Sequence, residues 1–155
     1  MNVGVISDTH GSDHAVKRAL NALPGMDAWI HLGDYASDSR ALSAANVPVY
    51  AVRGNCDFDA RAETERVITL GGARLFLTHG HKYGVKQNLG TVFHRAEELM
   101  CLAVLFGHTH LPTVEAWGNI LGINPGSAAL PQRGRPSVAK LTIEKGDVNA
   151  RIVLI

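Results

Sequence analysis

Residues 2–11, NVGVISDTHG, decide the reading of the chain. The first five are a short apolar run with β-branched side chains, the pattern of a buried strand, and Ser7-Asp8-Thr9-His10-Gly11 is a polar loop at its carboxyl end. A helix follows. Ser12 supplies a capping hydroxyl, Val16, Ala19, Leu20 and Leu23 recur at i, i+3, i+4 and i+7, and Pro24-Gly25 stops it. The opening unit is therefore β-loop-α, with its chemistry-bearing residues in the loop.

The unit repeats. Residues 28–32 (AWIHL) form a second strand ending at Gly33-Asp34, followed by a short helix over 37–45. Residues 47–52 form a third strand ending at Arg53-Gly54-Asn55-Cys56-Asp57. The middle changes character: 66–70 and 73–78 flank Gly71-Gly72, a pair suited to a tight hairpin turn. The second of these strands ends at His79-Gly80-His81. A helix is expected over 86–100, then a buried strand over 101–106 ending at Gly107-His108-Thr109-His110. Beyond it, 113–117, 119–123, 138–143 and 148–155 read as strands, with Lys145-Gly146-Asp147 turning the last pair. We expect one domain over residues 1–155, α/β in class, since a layered arrangement of two packed sheets with helices outside accommodates both the alternating first half and the β-rich last third.

Asp8 and His10, Asp34, Asn55 and Asp57, His79 and His81, and His108 and His110 each follow the carboxyl end of an expected strand. Ligands of open α/β sheets bind at that edge, so residues spread over a hundred positions can share one pocket. The set mixes carboxylates, imidazoles and a carboxamide, a donor mixture that suits manganese, iron, cobalt, nickel or zinc rather than the all-oxygen shells of calcium and magnesium. In an extended segment residues i and i+2 point the same way, so each Asp-x-His or His-x-His pair is expected to reach one ion. Seven candidate ligands are too many for one tetrahedral ion and suffice for two that share a bridge.

SDTHG at 7–11, LGD at 32–34, GNCD at 54–57, THGH at 78–81 and GHTH at 107–110 together resemble the calcineurin-like metallophosphoesterases. The small size, the cysteine of GNCD and NPGS at 124–127 look like the compact bacterial and archaeal phosphodiesterases of that superfamily, which are related to a retromer subunit. The resemblance implies a four-layer αββα sandwich of two mixed β-sheets with flanking helices. It implies one metal on Asp8, His10, Asp34 and His110, the other on Asp34, Asn55, His79 and His108, and Asp34 as the bridge. Manganese is the expected ion, with nickel, iron, cobalt and zinc as alternatives. Two metals about 3.5–4 Å apart lower the pKa of a shared water and neutralise phosphate oxygens, so the implied reaction is in-line attack of that hydroxide on a small phosphodiester. Many relatives have histidine where this chain has Cys56, and a thiol is a weak general acid with no positive charge, so leaving-group assistance is expected to be poorer, with His81 as a stand-in. Asp57 is expected to support a neighbouring ligand rather than bind metal itself.

Composition bounds the alternatives. Net charge is +1, with 15 basic and 14 acidic residues and no basic run, so neither duplex nucleic acid nor a membrane is an expected partner. No export signal opens the chain and the two cysteines, Cys56 and Cys101, form no framework, which points to the cytoplasm. A small phosphoester is the expected partner, in a homodimer or homotetramer. The rival readings are a non-catalytic, metal-binding interaction scaffold of the retromer type and a single-strand nuclease. His14, His31 and His94 are read as structural or exposed, Cys101, Trp29 and Trp117 as core, and the loops 57–65 and 82–90 as the source of selectivity.

Overall fold

β1 (Asn2–Ile6) is the central strand of a five-stranded sheet, ordered β10-β9-β1-β2-β3, because its alternate residues find apolar partners on both faces. β2 (Ala28–His31) and β3 (Val49–Ala51) run parallel to it, while on the other side β9 (Ser137–Glu144) pairs antiparallel with it and β10 (Asp147–Leu154) antiparallel with β9. A second five-stranded sheet has the order β4-β5-β6-β8-β7, built from β4 (Glu65–Leu70), β5 (Ala73–Thr78), β6 (Ala103–Leu105), β7 (Pro112–Trp117) and β8 (Ile120–Pro125). Within it β5, β6 and β8 are parallel, while β4 and β7 are antiparallel edges. The computed structural model that shows this describes residues 1–58 and 63–155, so 59–62 of the expected selectivity loop lie outside the described residues.

The period of two in the strands sorts the core into layers. Val3, Val5 and Ile30 meet Leu75, Leu77, Leu105 and Ile123 between the sheets, all fully buried. On the outer face of the first sheet, Ile6 and Trp29 pack on Ala15, Val16 and Ala19 of α1 (Asp13–Ala22). On the outer face of the second, Phe76 and Val104 pack on Val92, Phe93 and Ala96 of α2 (Gly90–Glu98). The result is the helix-sheet-sheet-helix order that the sequence resemblance implies. Ser12 caps α1, its hydroxyl accepting the Ala15 N–H at 3.2 Å. No helix among the described residues is long and apolar enough to cross a membrane.

The expected short helix is present at Ala36–Ala45 and takes the 3-10 form; it buries only Leu42 and is entered from a left-handed Tyr35 with no side-chain cap. Two local expectations change. The third expected helix loses its first turn, because His81–Tyr83 forms a 3-10 turn, Gly84 is left-handed, and the Asn88 side chain accepts the Gly90 N–H at 3.0 Å. Lys86 is thereby released from helix into a loop. Trp117 is 51% exposed and lies stacked on Phe93, ring centroids 5.3 Å apart, so it caps the core rather than filling it.

Candidate metal centre

The parallel strands of both sheets deliver their carboxyl ends to one edge. Asp8 follows β1, Asp34 follows β2, the Gly54 turn follows β3, His79 follows β5, and His108 and His110 follow β6. Asp8, His10, Asp34 and His110 bring one ligand atom each within 4.8 Å of one another, and Asp34, His79 and His108 do the same. Asp34 belongs to both groups. Asn55 is exposed, with its Nδ2 turned to Cys56 Sγ at 3.3 Å.

The convergence does not come from extended geometry. Asp8 (φ 54°), His10 (φ 47°), Asp34 (φ 50°), His108 (φ 68°) and His110 (φ 57°) all have left-handed backbone. Each costs of order 1 kcal/mol for a residue with a Cβ, so the turn, not pleat alternation, aims these side chains. Two glycines admit the close approach. A Cβ on Gly54 would collide with Asp34 Oδ1 and lie 2.9 Å from the His79 ring; one on Gly107 would collide with Ser7 Oγ and lie 2.9 Å from Asp8 Oδ2.

Backbone groups and neighbours hold the ligands in place. His79 Nδ1 donates to the Leu32 carbonyl at 2.7 Å and His110 Nδ1 to the Leu130 carbonyl at 2.6 Å, which presents both Nε2 atoms to the site. Asp8 accepts the His108 N–H at 3.1 Å, and Asp34 accepts the Cys56 N–H at 2.9 Å. Asp57 clamps two ligand loops, accepting from Ala36 N–H at 2.6 Å and Gly54 N–H at 2.7 Å. The NPGS segment, seen in the sequence only as a turn, is a brace. Asn124 Nδ2 donates to the Gly107 carbonyl and Thr109 Oγ1, at 2.9 and 3.0 Å, and the Ser127 hydroxyl donates to the Asp8 carbonyl at 2.8 Å. His31 is fully buried: its Nδ1 accepts the Gly33 N–H at 3.2 Å, leaving Nε2–H for Thr9 Oγ1 at 3.0 Å.

The charge pattern is that of a cation site. Burial alone would raise the carboxyl groups of Asp8 and Asp34, yet His110 and His79 hold Asp8 below, and His79 and the Cys56 N–H hold Asp34 far below, the ordinary carboxylate range. Conversely His79, against its burial, is raised by Asp34 and Asp8, and His110 is raised by Asp8, whose Oδ1 lies 3.1 Å from its Nε2. Burial and the neighbouring His79 push His108 down to about 4, and burial, His79 and Lys82 lower His81. Among the described residues, Asp8 Oδ1 and His79 Nε2 are buried with no aligned hydrogen-bond partner. Buried polar atoms are rarely left so, and a divalent cation, displacing the protons of His79 and His110, satisfies both. The donor set therefore fits divalent metal.

Comparison with known proteins agrees with this geometry. The model of the calcineurin-like phosphoesterase superfamily domain matches residues 1–146. The chain is 39% identical over 153 residues to the probable metallophosphoesterase YsnB of Bacillus subtilis, covering 97% of this chain and 89% of that protein. It is 34% identical over 163 residues to phosphodiesterase YfcE of Escherichia coli K12, covering 88% and 84%. A solved structure from Streptococcus pneumoniae TIGR4, described as a predicted phosphoesterase, superposes with a TM-score of 0.84 at 29% identity over 99% of this chain and 88% of that one. The chain belongs to the calcineurin-like phosphoesterase superfamily.

Two consequences can be measured in metal-free protein. Alanine normally outranks glycine in stability, but at the left-handed position 10 the order inverts: His10→Gly is expected to be more stable than His10→Ala by about 1 kcal/mol in urea denaturation. Equal stabilities would show that the position carries no strain. The second concerns His31, whose burial lowers its pKa to about 4. Below pH 6.5 the unfolded chain takes up a proton that the folded chain refuses, so this stability is present above 6.5 and lost as pH falls towards 4, by roughly 3 kcal/mol. His31→Gln is expected to flatten the stability profile in that window; parallel profiles would contradict a buried neutral imidazole.

Proposed function

We propose that this single-domain protein is a phosphodiesterase of small molecules that works with two divalent ions, manganese by preference and nickel, iron, cobalt or zinc as substitutes. The carrying observation is that Asp34 is common to two donor groups, in which Asp8 Oδ1 and His79 Nε2 are buried with no aligned hydrogen-bond partner. Asp8, His10, Asp34 and His110 would hold one ion, and Asp34, Asn55, His79 and His108 the other. When bound, the pair supplies a water of lowered pKa and neutralises charge on the phosphate oxygens. The chain's own part is placement. The carbonyls of Leu32 and Leu130 fix two imidazole orientations, Asp57 locks the loops of Asp34 and Asn55 together, and the Asn124 and Ser127 brace keeps Asp8 and His108 at a constant separation.

Leaving-group protonation is the weak step. Burial and the nearby carboxylates of Asp34 and Asp57 push the Cys56 thiol above its ordinary pKa, so it stays neutral and grips no anion. His81 stays a neutral imidazole for the reasons above, a hydrogen-bond donor rather than a proton source. The enzyme then favours esters whose alcohol leaves without help. Cytoplasmic residence and a homodimeric or homotetrameric state complete the proposal.

Purified protein given manganese is expected to hydrolyse bis(p-nitrophenyl) phosphate, and Asp34→Ala to lower the rate by more than about a hundredfold, beyond what loss of an outer partner costs. Inactivity with every divalent ion, in protein that still binds metal, would favour an interaction scaffold; preferential cleavage of single-stranded oligonucleotides would favour a nuclease. Cys56→His is expected to raise the rate on an alkyl ester relative to a p-nitrophenyl ester by roughly a hundredfold, the low end of a positioned general acid. An unchanged ratio would remove Cys56 from the account.

A further inference from the structure

A cleft of about 570 Å³ opens beside the 106–110 loop, and His108 and His110 form part of its wall. It is thus continuous with the metal centre and of a size that holds a nucleoside-sized group. Val85, Leu89, Phe106 and Leu111 make the apolar part of its wall, and Thr109 and Thr113 add polar side chains. Leu89 and Lys86 reach it because the first turn of the expected helix is instead a loop. Two features give the cleft a chemical preference. Lys86 is exposed at its edge with no ion pair among the described residues, and no described carboxylate lines it. Gln132 adds a carboxamide on the segment whose backbone also orients His110, through the Gln132 N–H to the His110 carbonyl at 3.3 Å and the Leu130 carbonyl to His110 Nδ1.

The apolar wall favours burial of a flat ring, the Gln132 carboxamide beside the Thr109 and Thr113 side chains can bond to its edge, and the exposed Lys86 ammonium repels a second cation while attracting anions. We infer that, granted the phosphoesterase reading above, this cleft seats the organic group of the substrate. The group it selects is an uncharged planar ring, aryl or nucleoside, and Lys86 excludes cationic esters of the choline or ethanolamine type. The substrate class is then a ring-bearing phosphodiester rather than a phospholipid headgroup ester.

The test is a calorimetric titration of manganese-loaded protein with phosphonates, whose carbon-phosphorus bond does not hydrolyse. Benzylphosphonate and the 5′-phosphonate of thymidine are expected to bind at least about tenfold more tightly than methylphosphonate. The trimethylammonioethyl phosphonate is expected to bind no more tightly than methylphosphonate. Leu89→Ser and Leu111→Ser should each shrink the benzyl-to-methyl ratio to below about threefold, and Lys86→Glu should raise affinity for the cationic phosphonate relative to the methyl compound. Equal binding of benzyl and methyl compounds, a ratio unmoved in both leucine variants, a wild-type preference for the cation, or no binding of any phosphonate would overturn the assignment. Hydrolysis is scored separately. A protein that shows the ring preference yet cleaves no ester would defeat the enzymatic reading alone, and one that cleaves esters without the preference would defeat the cleft assignment alone.

Discussion

The carboxylate of Asp34, only 2% exposed, is the point on which the site turns. An ionised carboxylate in such a place is costly unless charge and hydrogen bonds surround it. His79 supplies the charge at 3.3 Å and the Cys56 N–H supplies a hydrogen bond, so the loops after β2, β3 and β5 are tied to one atom group. Gly54 exists at that contact because any side chain would occupy the space of Asp34. The same carboxylate belongs to both donor groups, and on the proposed reading it is where two ions would meet.

A second constraint runs through the backbone. Five of the seven expected ligands sit in the left-handed region, where L-residues are uncomfortable. Strain of that kind persists only where the surroundings over-determine it, and here the surroundings are visible. The Asp8 carbonyl takes the Ser127 hydroxyl, the Gly107 carbonyl takes the Asn124 amide, and the His110 ring is held by the 130 carbonyl. β8 and the segment after it therefore stabilise a site to which they contribute no expected ligand.

On the proposed reading, the two ends of the phosphoester would be handled unequally. The attacking side would have buried, charge-balanced carboxylates and oriented imidazoles. On the leaving side, burial and neighbouring charges push the Cys56 thiol up and the His81 imidazole down, so neither would give a proton readily. An enzyme so built depends on substrate fit and on the intrinsic quality of its leaving group, and the apolar cleft beside His108 and His110 is where such fit would be exercised.

Much was legible in the residues. Strand identities, the β1-loop-α1 unit, the hairpin at Gly71-Gly72 and the clustering of polar residues at strand ends follow from periodicity and turn chemistry, which are local properties. So does the nomination of Asp8, His10, Asp34, His79, His108 and His110, because each lies next to its strand end in sequence. What escaped was whatever depends on contacts across the chain. The 3-10 form of Ala36–Ala45, the late start of α2, the exposed seat of Trp117 and the bracing by Asn124 and Ser127 are decided by neighbours 15 to 119 residues away or by small capping choices worth about a kcal/mol. The sequence by itself determined which side chains gather at one edge, since strand alternation and loop placement are read within a few residues. Only the tertiary structure decided how they aim and what cleft adjoins them. Left-handed turns and the space between residues 85–89, the 106–111 loop, Thr113 of β7 and Gln132 arise when distant segments pack, and no local pattern carries that distance.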